Sequence, residues 1–161
     1  MPYKIPKDLP QVPARWQEWT LDERIEAMRA VEGIPYDSRI AACIISLVEQ
    51  PLRVPNGNCC GVMGQGEKYP WGWNQLYWQN VKPEGYVLLK EGQTGRFAPF
   101  LSFRSVMDSF LFLCQVVQRR EILSPQDYCK RWVGLKDADV NIYIAYRRAS
   151  QKLYRYLLTK K

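Results

Sequence analysis

Residues 40–48 constrain this chain more than any other stretch. Ile-Ala-Ala-Cys-Ile-Ile-Ser-Leu-Val carries one polar side chain, Ser46, in nine positions. A segment that is apolar on nearly every side belongs to a helix covered all round. Glu49 follows at once and Pro51 stops the segment. The expected central helix therefore spans residues 39–50, with Asp37 and Ser38 as candidate caps, and it delivers one carboxylate at its C-terminal end. A Pro/Gly/Asn-rich loop then leads into Asn58-Cys59-Cys60-Gly61-Val62-Met63. Burial disfavours the charged form of a carboxyl and raises its pKa, which suits Glu49 to a general acid. The same pattern also describes a core helix that ends in a solvated glutamate.

Absent residue types exclude whole classes of chemistry. The chain has no histidine, so Ser-His-Asp and Cys-His nucleophiles and histidine-bearing metal sites are ruled out. The five cysteines form no Cys-x-x-Cys pair and their odd number does not complete a disulfide framework. Cys43 and Cys114 sit in apolar helical stretches as small core residues, and neither a metal nor another cofactor is expected. With 23 basic against 16 acidic residues the net charge is +7, which favours an anionic partner such as nucleic acid, anionic lipid or a wall polymer. No apolar run is long enough for a membrane helix. The four-proline N-terminal stretch lacks an apolar signal core, so synthesis without a signal peptide is expected.

The 161 residues suggest a single domain over residues 1–161, with residues 1–16 as an extended arm. Thr20-Leu21-Asp22-Glu23 is a capping box that opens a helix over residues 21–32, with Leu21, Ile25, Met28, Ala30 and Val31 on its apolar face and Gly33 at its end. Residues 51–85 are an expected long loop with Tyr69, Trp71, Trp73, Tyr77 and Trp78 close together. Aromatics at that density either pad a small core or line a groove. A β-hairpin is expected over residues 86–100, with Pro99 placing its strand at an edge. Ser102 is the candidate cap of a helix over residues 103–120, Ser124-Pro125 starts another that ends at Gly134, and the last runs from Ala138 or Val140 to Leu158. Its expected apolar stripe is Ile142, Ala145, Tyr146, Ala149, Leu153, Tyr156 and Leu157. The fold class is mainly α, with about five helices around a buried central helix and one small hairpin.

A helix ending in Glu, an Asn-x-x-Gly-aliphatic loop, a hairpin and an aromatic-Ser helix start together resemble the bacterial endo-β-N-acetylglucosaminidases. These are peptidoglycan hydrolases of the autolysin and flagellar type, a branch of the lysozyme-like folds. The family's Asn-Leu-Phe-Gly-Ile-Lys is similar to Asn58-Cys59-Cys60-Gly61-Val62-Met63, and Phe100-Leu101-Ser102-Phe103-Arg104-Ser105 is similar to its segment after the hairpin. The Gly61-Val62-Met63-Gly64-Gln65 run is also similar to the Gly-Leu-Met-Gln of lytic transglycosylases. The chain departs from the family at Gln50-Pro51, at Cys59-Cys60, and at Lys136-Asp137-Ala138-Asp139, where the family has Tyr-Ala-Thr-Asp.

The resemblance implies a lysozyme-like domain that cleaves the β-1,4 glycan backbone of peptidoglycan. Glu49 would be the general acid, and Glu91, in the hairpin turn, the second catalytic acid. Asn58 and Gly61 would shape the groove floor, and Trp71, Trp73 and Tyr77 would stack on sugar faces. A chain of this kind without a signal peptide is expected to reach the cell wall as a phage endolysin, as a virion component, or through a dedicated secretion machine. Two other readings stand beside it: a lytic transglycosylase with one carboxylate, and a non-catalytic lysozyme-like or nucleic-acid-binding module that uses Lys/Arg and the tyrosines of the last helix.

Overall fold

The structure is a computed structural model that describes residues 3–92, 94–134 and 139–161. It has an α+β fold with five α-helices and two small antiparallel sheets among the described residues. The chain divides into two compact units: Met1–Glu18 with Arg53–Phe112, and Trp19–Leu52 with Leu113–Lys161.

The first unit is built on a hairpin. β3 (Gly85–Lys90) pairs with β4 (Phe97–Ser102), and Leu88 faces Pro99. The Pro99 carbonyl accepts from Gly64 on the side away from β3, so the missing proline N–H falls on the outer edge of the sheet, as expected. On the β3 side the N-terminal arm runs alongside: Val12 donates to the Tyr86 carbonyl and Tyr86 donates to the Pro10 carbonyl. Gly85 permits this approach, since a Cβ there would meet the Pro10 oxygen at 2.5 Å. Arg15 fastens the arm through an ion pair with Glu84 at 2.7 Å and a bond to the Phe103 carbonyl at 2.6 Å. Burial works to raise the Glu84 carboxyl, but hydrogen bonds from Ser102 and Arg15 outweigh it and hold it below its ordinary range. β1 (Trp16–Glu18) pairs with β2 (Arg53–Pro55), a ladder that the sequence pattern does not announce. The expected loop thus contains a strand, and also a 3₁₀ turn at Gln75–Trp78.

The second unit is helical. α1 (Leu21–Ala30) opens on the expected capping box, with both reciprocal bonds made. Its buried side differs from the expected one: Ala30 is exposed, while Ala27 and Arg24 are buried. α2 (Tyr36–Glu49) begins three residues before the expected start, behind Pro35, and its cap makes no side-chain bond. Asp37 therefore lies in the first turn, where its charge complements the helix dipole. Residues 40 to 46 are all buried, and α2 packs against α1 and α5.

α3 (Val106–Arg120) contributes residues to both units. Its start corrects the expected cap: Ser102 lies in β4 and donates to Glu84, while the Ser105 hydroxyl accepts from the Asp108 N–H. At its other end Glu121 adopts φ 53°, Glu121 N–H donates to Gln118, and Ile122 N–H donates to Val117. This is a Schellman cap with glutamate in the left-handed position that glycine usually takes. Relief of that steric cost should make Glu121→Gly more stable than the parent by about 0.5–1 kcal/mol, read as a higher urea midpoint. α4 (Pro125–Asp127), capped by Ser124, widens into a π-helical segment, Tyr128–Gly134. α5 (Val140–Leu158) is capped by Asp139. Of its expected stripe Tyr146 and Leu157 are buried, whereas Tyr156 is exposed and sits under the Lys160 ammonium. Residues 136–138, compared above with the family's Tyr-Ala-Thr-Asp, lie outside the described residues.

Candidate functional site

The helical unit places its most distinctive polar group where α2 ends. Glu49 is the last residue of α2. The Tyr146 hydroxyl of α5, itself fully buried, donates to the Glu49 carboxylate at 2.6 Å. The Trp132 indole of the π-helical segment donates to it as well. α2, the π-helical segment and α5 thus converge on one carboxyl.

Glu49 is exposed as a residue, yet the surrounding protein desolvates its carboxyl. The group is open to solvent and sits where its charged form is disfavoured. Desolvation raises the carboxyl above its ordinary range, and the bonds from Tyr146 and Trp132 oppose it only in part. Tyr128 packs its ring on Tyr146, with centroids 5.0 Å apart. Burial pushes the Tyr128 hydroxyl up to about 12, so it stays neutral at any biological pH.

Behind this group lies Arg24, with no exposed surface. Its guanidinium donates to the carbonyls of Trp19 and Gln50 and, at 3.2 Å, to the Ser46 hydroxyl. It also stacks over the Trp19 ring at 4.7 Å. The C-terminal carbonyls of a helix lack partners within it, and a cation there complements the dipole. Arg24 therefore fixes the chain at the residue that follows Glu49.

The other expected site residues belong to the hairpin unit. Glu91 lies in the turn between β3 and β4, and its carboxylate accepts from the Tyr3 hydroxyl and from Thr94 at 3.1 Å. Asn58 is fully buried: its amide nitrogen donates to the carbonyls of Val62 and Leu101 at 2.9 Å, and its oxygen accepts from the Val62 N–H at 3.0 Å. It therefore builds its loop from inside and offers no polar group to a ligand. Gly61 takes φ 70°, the left-handed turn that lets the loop close on Asn58.

The aromatic loop resolves toward the core rather than a groove. Trp71 and Tyr77 are buried at 4% and 7% exposure, and the Trp71 indole donates to Asp8 at 2.5 Å. Trp78 stacks near Phe103 and Phe112. Trp73 is half-buried against Phe112 and donates to the Met63 carbonyl at 2.9 Å. Trp71 and Tyr77, expected to stack on sugar faces, thus present little ring surface. Of the expected substrate-stacking three, Trp73 alone retains appreciable surface, while the half-exposed Tyr69 sets its ring edge-on to Trp71.

All five cysteines are buried. Among the described residues no three Cys, Asp or Glu side chains gather as a metal site would require, and no helix is long and apolar enough to cross a membrane. No protein-family model matches the chain, and no curated protein or solved structure does either.

Proposed function

We propose that the chain is a lysozyme-like glycosidase that cleaves the β-1,4 glycan backbone of peptidoglycan, with Glu49 as the general acid. One observation carries this reading: a carboxyl at the end of a buried helix, desolvated yet open to solvent, and oriented by a tyrosine hydroxyl and an indole. A protonated Glu49 would give its proton to the leaving glycosidic oxygen as the bond to the anomeric carbon breaks. Tyr146 and Trp132 would then stabilise the carboxylate that remains. The test is digestion of purified peptidoglycan followed by mass spectrometry of the soluble fragments. New reducing ends are the expected product, and a wall that releases no fragments overturns the reading.

A second reading shares the acid and changes the outcome. The Glu91 carboxylate is already engaged by Tyr3 and Thr94, which favours a mechanism with one carboxylate. In that case the sugar's own hydroxyl attacks and the product is an anhydro-sugar, the lytic transglycosylase outcome. The same spectra separate the two by the mass of one water.

Tyr146 supplies a pH test. Its O–H donation stabilises the charged form of Glu49, so Tyr146→Phe should raise the Glu49 pKa further. Activity that needs the protonated acid falls as pH rises through that pKa. The alkaline limb of kcat/KM should therefore move to higher pH in Tyr146→Phe. A limb that stays in place, or moves down, removes Glu49 from the role of acid.

A further inference from the structure

The outward face of α5 carries charge of one sign only. In 19 residues the helix has four basic side chains, Arg147, Arg148, Lys152 and Arg155, and no acidic one. All four are exposed, and among the described residues none is paired with a carboxylate. At about 100° per residue, Arg148, Lys152 and Arg155 fall within an arc of about 60°. That arc lies opposite Tyr146 and Leu157, the buried residues of the helix. A rise of about 1.5 Å per residue spreads the three cations over about 10 Å.

A helix face that only needs solvation usually mixes signs, because like charges three or four residues apart repel. Arg148 and Lys152 form one such pair, and Lys152 and Arg155 another. The helix dipole accounts for Arg155 in the last turn but not for Arg148 near the middle. A polyanion laid along the stripe would relieve both repulsions at once. Tyr156, at 43% exposure, lies about 40° from one edge of the stripe, and Tyr154, at 38%, about 100° from the other. The Tyr154 hydroxyl donates to Asp37 at 3.4 Å, which steadies that ring, and Lys160 adds a cation over Tyr156 at 4.9 Å.

We propose that this face binds single-stranded nucleic acid through its phosphodiester backbone, without reading sequence. The arginine forks match phosphate oxygens, and the exposed Tyr156 ring beside the stripe, on the side that Lys160 does not cover, suits stacking with a base of any identity. The proposal is independent of any role for Glu49.

The test is fluorescence anisotropy with a labelled, mixed-sequence DNA strand of about 15 nucleotides, titrated between about 50 and 200 mM salt. Three to four phosphate contacts predict a slope of log K on log salt of about −2 to −3. The Arg148→Gln/Lys152→Gln/Arg155→Gln protein should bind at least tenfold more weakly, with a slope flatter by about 2. Lys4→Gln/Lys82→Gln/Arg104→Gln removes the same charge from exposed positions off α5 and should bind like the parent. The proposal falls if the parent does not bind at the lowest salt, if the α5 variant keeps the parent slope, or if the two triple variants weaken equally. Tighter binding to phosphatidylglycerol vesicles than to the strand also overturns it. Should the α5 triple variant lose its thermal transition, each single variant serves instead, with an expected flattening of about 0.7 per residue.

Discussion

Glu49→Gln is expected to lower the rate of peptidoglycan cleavage by about 10²–10⁴-fold, the usual contribution of a positioned general acid. Glutamine keeps the shape and an oxygen that can still accept from Tyr146, so the loss would come from the missing proton. Stability should change in the opposite direction, by an amount that depends on pH. Desolvation raises the Glu49 pKa in the folded chain above its value in the unfolded one. Such a group contributes stability that is fully present below the unfolded pKa and is lost as pH rises through the folded pKa. Above that point the parent must keep a charged carboxylate in an unfavourable medium, and the glutamine variant does not. The melting temperature of Glu49→Gln should therefore exceed the parent's at mildly alkaline pH, and the gap should narrow on acidification. Cleavage within about tenfold of the parent would end the case for Glu49 as the acid. A melting gap that widens on acidification would end the case for its raised pKa.

The features legible in the sequence were those that local chemistry determines. The run at residues 40–48 fixes a buried helix because no face of it suits water, and Pro51 marks its end. The capping box at Thr20 and Glu23 and the strand pairing across residues 91–96 depend on neighbours a few positions apart. Where the sequence misleads, the deciding partner is far away. Trp71 looks like a sugar platform until Asp8, 63 residues distant, takes its indole N–H. Ser102 has the side chain of a cap, but strand pairing with Gly85 claims its backbone and leaves that task to Ser105. The β1–β2 ladder shows no alternation, because all three β1 residues are exposed. Tyr146 was legible as a core position of α5, yet its bond to a carboxylate 97 residues earlier was not. Trp132 gave no signal, since a lone tryptophan in a short helix has many uses.

Arg24→Met should cost about 3–5 kcal/mol of folding stability, a loss on the scale of breaking a buried, fully bonded charge. The position looks apolar by spacing, since Leu21, Ile25 and Met28 surround it on α1, and methionine would fill much of the volume. What methionine lacks is donors. The carbonyls of Trp19 and Gln50 would be left facing a thioether, at about 1–3 kcal/mol for each buried group that loses its partner. The Ser46 hydroxyl and the stacking over Trp19 are lost as well. Arg24→Lys separates charge from geometry: an ammonium keeps the cation but cannot reach three acceptors with a planar fork. If the fork is what matters, Lys should fall nearer to Met than to the parent. If the charge at the end of α2 is what matters, Lys should fall nearer to the parent. Urea midpoints at unchanged m-value give the ordering directly. Because Gln50 follows Glu49 in the chain, both variants should also loosen the carboxyl from Tyr146 while the protein is still folded. That would appear as a fall in kcat under conditions where the folded fraction is complete. A methionine variant within about 1 kcal/mol of the parent would show that Arg24 fills space and does not hold the end of α2.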